Sequence, residues 1–203
     1  MIKKTSPKGL YRPRPTEPEV VDVPPMPFLM VDGRGDPSKS LEYRQAIEAL
    51  YGAAYGLKFL LKKKGHDFKV APLEGLWWAP DMKSFEVGRK ADWRWTAMST
   101  VPDEVTPDDF ASVRDELARK RPSPAVAKLR LARFDEGPAA QIMHIGPYSA
   151  EGPTIARLHA FILERGYTFD GTKQKHQIYL GDPRRAAPDK LKTVIRQPFK
   201  RAA

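Results

Sequence analysis

Apolar positions recur at three- and four-residue steps from Leu41 to Lys64, through Ile47, Leu50, Tyr51, Ala54, Leu57 and Leu61. That spacing predicts an amphipathic helix of about six turns, capped by Ser38 or Ser40 and stopped by Gly65. Gly52, Ala53, Ala54 and Gly56 cluster inside it, which predicts close packing on a sheet or another helix. Elsewhere the pattern alternates. Short strands are expected at Glu19–Val23, Phe28–Asp32, from about Leu73 to Ala79, and at Trp93–Thr100. Further strands are expected at Leu129–Phe134, Ala139–Ile145 and Leu191–Phe199. Pro80-Asp81 closes the third strand, and residues 81–92, with Gly88, read as a hairpin loop. Thr106 and Pro107 open a charged helix to Lys120, and a second amphipathic helix runs Ile155–Arg165. Between Thr172 and Pro183 lies one more strand, with His176, Ile178 and Leu180 on one face and Gln177 and Tyr179 on the other. An amide and a phenol on one strand face suit the floor of a ligand groove.

The elements fall in the same order twice, as strand, strand, helix, strand, strand. Phe28–Gly33 stands beside Gln141–Gly146, and Glu74–Pro80 beside Gln177–Pro183. The fold class is therefore α+β: two fused repeats, about 19–105 and 125–203, joined by a helical linker into one domain, with an antiparallel sheet. Residues 1–18, with Pro7, Pro13, Pro15 and Pro18, are expected to form a loose, extended arm. If the repeat is genuine, Glu74 and Gln177 are symmetry mates that face each other across a central groove, a common place for a ligand.

Composition narrows the function. With no cysteine, thiolate catalysis and cysteine-ligated zinc are excluded. His66, His144, His159 and His176 show no metal-ligand spacing, so neither a metal nor a cofactor is expected. No apolar run reaches the roughly 20 residues that span a bilayer, and no secretory signal opens the chain, which points to the cytoplasm. The net charge of +10 invites nucleic acid as a partner. However, the cations sit in tails and at helix ends such as Lys62-Lys63-Lys64, and no nucleic-acid-binding motif accompanies them. A solvated basic surface is the reading adopted.

Candidate site residues follow from type and position. Trp77 and Trp78 point to opposite strand faces, so one is expected in the core and one in a groove. Trp93 and Trp95 share a face and are expected to pack in the core or rim. Tyr148, after Gly146-Pro147, either donates a hydrogen bond to a ligand or caps the core. Glu74, on an apolar strand, is costly to bury unpaired and is a candidate general base, its pKa raised by surrounding tryptophans.

Pro72–Trp78, Gln141–Tyr148, Ile178–Arg185 and Pro188–Thr193 together resemble the GyrI-like small-molecule-binding family, over nearly all of the chain after residue 18. The resemblance implies an SHS2-type fold, two strand-helix-strand-strand units around a pseudo-twofold groove that takes lipophilic, aromatic or cationic compounds. Some stand-alone relatives hydrolyse cyclopropane-bearing DNA-alkylating natural products, which implies a detoxifying hydrolase as the alternative to simple binding. Other members bind DNA gyrase, which implies a protein-interaction module as a third reading. The family usually places Glu where Gln177 stands. An amide can neither take a proton from water nor hold a cation by charge. Catalysis would then fall to Glu74 or, second, Glu151, with Tyr148 or Tyr179 stabilising developing charge. The groove is expected to be lined by Trp77 or Trp78, Met143, Tyr148, Gln177, Tyr179 and Glu151.

Overall fold

The computed structural model describes residues 7–79, 90–169 and 175–201. The loop expected over 81–92 lies outside them up to residue 89, as do Pro80 and Thr172–Gln174. In chain order the elements are α1 Pro7–Leu10, β1 Glu19–Val23, β2 Met26–Arg34, α2 Leu41–Lys63, β3 Leu73–Trp78 and β4 Arg94–Thr100. Then come α3 Pro107–Lys120, α4 Pro124–Lys128, β5 Arg130–Phe134, β6 Gly137–Ile145 and α5 Gly152–Glu164. β7 Tyr167–Phe169, β8 Lys175–Tyr179 and β9 Lys192–Arg201 complete the chain. The fold is mixed α+β, and within each unit the described strand pairs are antiparallel.

The chain divides into two compact units, Met26–Phe134 and a second made of Met1–Pro25 with Asp135–Ala203. These are not the repeat boundaries expected from the sequence. β1 pairs with β6 (Val21 opposite Ala139), and β5 pairs with β2 (Phe28 opposite Ala132). The strand that leads each expected sequence repeat thus pairs with a strand of the other repeat. Strand periodicity reports which face is buried, whereas the choice of edge is made by tertiary contacts.

In the Met26–Phe134 unit the strand order is β3-β4-β2-β5. Ser40 caps α2 by accepting from the Tyr43 amide at 3.1 Å, and a capping box between Thr106 and Asp109 starts α3. The small residues of α2 serve helix–helix contact. A Cβ on Gly56 would come within 2.5 Å of Val113, and one on Gly52 within 3.0 Å of Leu117, both on α3. On the sheet side Gly33 lies opposite Trp95, a ring with no exposed surface. A Cβ there would sit 2.2 Å from that ring. Gly33→Ala is therefore expected to lower stability by about 1–3 kcal/mol, read as a lower urea midpoint at unchanged slope. An unchanged midpoint would show the indole free to move.

In the other unit the strand order is β1-β6-β9-β8, with β7 also on β9. α5 covers one face of this sheet, packing Leu158 and Ile162 on Ala140, Ile142 and Ile195. The opposite face carries Met143, Val194 and Ile178, with Tyr11 and Leu180 beside them. It also holds a buried polar network. Arg196 Nη1 donates to Glu136 Oε2 at 2.9 Å, His176 Nδ1 lies 3.0 Å from the same oxygen, and Arg196 Nε donates to Gln141 Oε1 at 3.1 Å. Residues 9–18, expected as a loose arm, are tied to this unit. Leu10 is fully buried and its carbonyl accepts from Arg196 at 2.8 Å, the Arg14 carbonyl accepts from the Met143 amide, and the Pro15 carbonyl accepts from Arg157. Pro-rich chain exposes backbone acceptors, and this sheet and α5 supply the donors.

Candidate ligand site

Strand alternation puts Lys175, Gln177 and Tyr179 on one face of β8, with His176 and Ile178 on the other. Gln177 stands opposite Ile195, and Ile195 packs under α5, so the Gln177 face is the helix-bearing one. α5 starts where this face needs a partner. Pro147 and the 3-10 turn Tyr148–Ala150 lead the chain to Glu151, the N-cap residue, whose side chain makes no capping bond. Its carboxyl turns to the sheet instead and is 5% exposed.

There Gln177 Nε2 donates to Glu151 Oε2, and Tyr179 Oη donates to Gln177 Oε1 at 3.1 Å. A chain of polar groups therefore runs Tyr179, Gln177, Glu151. Glu151 Oε1 is buried and finds no hydrogen-bond partner among the described residues. The rings of Tyr148 and Tyr179 meet edge to face with centroids 5.4 Å apart, and Tyr148 keeps 39% of its surface exposed. Burial raises the Glu151 carboxyl to about 7, although the Lys175 charge and the Gln177 hydrogen bond pull the other way. Burial lowers Lys175, partly offset by the Glu151 charge, and raises Tyr148, reinforced by Glu151 and Asp182. A carboxyl that gains and loses its proton near neutrality, beside a phenol, can take part in proton transfer.

His144 holds the segment in place. It is buried, its Nε2 lies 3.2 Å from the Pro147 carbonyl and its Nδ1 lies 3.0 Å from Thr154 Oγ1. Since a carbonyl only accepts, Nε2 carries a proton. One ring thus pins both flanks of Tyr148–Glu151. The sequence assigned His144 no role beyond setting a metal site aside; its role as a brace follows from the turn at Gly146-Pro147 folding back onto β6. Lys175 was also missed, though the period of two that places Gln177 and Tyr179 together would have included it.

The structure therefore brings together four of the expected site residues, Tyr148, Glu151, Gln177 and Tyr179. Met143 is not among them. It packs with Val194 and Ile178 on the opposite face of the sheet, because one step along β6 from Ile142 reverses direction.

Glu74, Trp77 and Trp78 lie on β3 of the Met26–Phe134 unit. Trp77 is buried against Tyr43 of α2 (5.7 Å between centroids) and Trp93 (6.1 Å), so its face is the helix-bearing one. Trp95 meets the same Tyr43 at 4.9 Å. Glu74, Leu76 and Trp78 occupy the other face, where Leu76 and Trp78 pack with Phe28, Met30 and Met98. Glu74 is 1% exposed. The expected equivalence of Glu74 and Gln177 is thus off by one register: the helix-facing positions of β3 are Gly75 and Trp77. Landmark matching by Gly and Pro tolerates a one-residue slip, and in a strand one residue exchanges faces.

An antiparallel sheet under a single helix, with a polar and aromatic patch where the helix begins, defines an α+β ligand-binding domain. Residues 16–200 match the GyrI-like small molecule binding domain, and the chain belongs to that family. It is similar to an uncharacterized conserved protein from Listeria innocua, at 38% identity and a TM-score of 0.89, over 96% of this chain and 97% of that one. It is also similar to a hydrolase from Listeria innocua, at 38% identity and a TM-score of 0.82, over 95% and 96% of the two chains. The EcmrR C-terminal domain shares the fold at 10% identity and a TM-score of 0.55, over 92% of this chain and 98% of that one. No curated protein matches the chain.

Proposed function

We propose that this protein binds hydrophobic, aromatic small molecules on the helix-bearing face of its Asp135–Ala203 unit, in the cytoplasm, as a detoxifying step. Tyr148 and Tyr179 offer ring surface and Glu151 and Gln177 the polar contacts. The observation that carries this reading is the buried Glu151 carboxyl, joined through Gln177 to Tyr179 and left with one open acceptor. Tyr179→Ala removes ring contact and releases the Gln177 amide. It is expected to weaken binding of a naphthyl-bearing probe by about tenfold in calorimetry. Unchanged affinity would move the site elsewhere.

A second reading is favoured by the Glu151 titration near neutrality and by similarity to a Listeria innocua hydrolase. In it the protein opens an electrophilic cyclopropane conjugated to a carbonyl. Glu151 takes a proton from water, whose oxygen bonds to the ring carbon. The breaking carbon–carbon bond sends its electron pair into the conjugated system, and the carbonyl oxygen that gains charge is protonated, with Tyr148 as donor. Mass spectrometry of such a compound after incubation should show the water adduct. Glu151→Gln should slow its formation about 100-fold or more. An undiminished rate clears Glu151, and binding without adduct leaves the first reading alone.

A further inference from the structure

The polar groups at the start of α5 are unevenly satisfied, and the imbalance defines what a ligand must bring. Gln177 is engaged in both directions, its amide nitrogen on Glu151 and its amide oxygen on the Tyr179 hydroxyl. Glu151 Oε2 is taken by that amide, whereas Oε1 is buried and has no partner among the described residues. A buried acceptor left in this state has given up its bonds to water, a cost that any well-placed donor recovers. Charge alone has less to gain here. The Lys175 ammonium already acts on Glu151, and Gln177 beside it is an amide that adds no negative charge. A cation without a donor hydrogen therefore meets a carboxylate offset by a neighbouring ammonium and leaves Oε1 unsatisfied.

We infer that the site selects ligands carrying an N–H or O–H donor beside an aromatic group, and that Glu151 Oε1 is the acceptor that reads it. The inference rests on the binding site proposed above. It concerns ligand class: a protonated aromatic amine or an aromatic alcohol is held, and a quaternary ammonium of the same size is discriminated against. Tyr148 and Tyr179, crossed edge to face and partly open to solvent, supply the surface against which the aromatic portion rests. Donor and ring together fix the orientation, as a few polar groups in an apolar site usually do.

Two probes of equal charge test it on the intact chain: 1-naphthylmethyl-dimethylammonium, which has one N–H, and 1-naphthylmethyl-trimethylammonium, which has none. Titration calorimetry at about pH 8 keeps Glu151 ionised, above its own titration. The N–H probe is expected to bind about tenfold more tightly or better, as one charge-assisted hydrogen bond allows. In Glu151→Leu, with folding checked by circular dichroism, the two affinities should converge. Equal affinity for the two probes on the unmodified protein overturns the inference while leaving the binding site standing. Binding of neither probe overturns the proposed site itself. The comparison on the unmodified protein decides the matter even if Glu151→Leu does not fold.

Discussion

Replacing Glu136 by Ala is expected to destabilise the protein by about 3–5 kcal/mol, because it strands the Arg196 guanidinium in the interior. Glu136 and Arg196 are each 1% exposed and joined at 2.9 Å, with His176 on the same carboxylate oxygen. Burial by itself would raise the Glu136 carboxyl, but the charges of His176 and Arg196 and their hydrogen bonds hold it down to about 2. Since the folded value lies below the unfolded one of 4.5, this group stabilises the fold above about pH 4.5. That contribution is lost as pH falls toward 2. The loss in Glu136→Ala should therefore be full at neutral pH and shrink under acid. Urea unfolding at the two pH values measures it. The double variant Glu136→Ala with Arg196→Met should recover most of the loss, since a pair replaced by apolar groups is often near neutral where a broken pair is not. A single-variant loss below about 1 kcal/mol would show that Gln141 and the Leu10 carbonyl satisfy Arg196 unaided.

Glu151 should act in the opposite sense. Its folded value of about 7 lies above the unfolded 4.5, so between them the folded chain holds a proton that the unfolded chain has released. Stability must then fall as pH rises through that window, by about 3 kcal/mol in total for this group. His159, lowered first by burial and then by the Lys175 charge, opposes this trend on the acid side of 6.5, because its unfolded form takes up a proton there. Subtracting the curve of Glu151→Gln from that of the unmodified protein isolates the Glu151 part. The variant should be the more stable of the two at about pH 8, with the gap closing below pH 4.5. Parallel curves would mean that Glu151 stays charged in the fold, and the case for proton transfer at this carboxyl would end.

The destabilising carboxyl and the stabilising one sit on opposite faces of one sheet, a single residue apart at β8: His176 meets Glu136 and Gln177 meets Glu151. On the α5-bearing face burial dominates and raises the Glu151 carboxyl, whereas on the arm-covered face the charges of His176 and Arg196 outweigh burial and hold the Glu136 carboxyl down.

Much of this was readable along the chain. Helical spacing from Leu41, the Thr106-Pro107 start and the alternation around Trp95 each mark a local preference, and the observed elements follow them closely. Alternation alone put Gln177 and Tyr179 on one face. Residues far apart in sequence were another matter. Nothing local distinguishes Glu151 from any exposed glutamate before a helix; it is buried because the Pro147 turn, braced by His144, delivers it to Gln177. Glu74 reads as an equally good candidate until the register of β3 turns it away from the helix-bearing face. The sequence by itself determined the elements, their order and their buried faces, because those depend on spacing over a few residues. Tertiary structure alone decided which edge each leading strand joined, which carboxylate met the amide and which glutamate had its pKa raised rather than lowered, because desolvation and pairing arise only between groups the chain brings together from a distance.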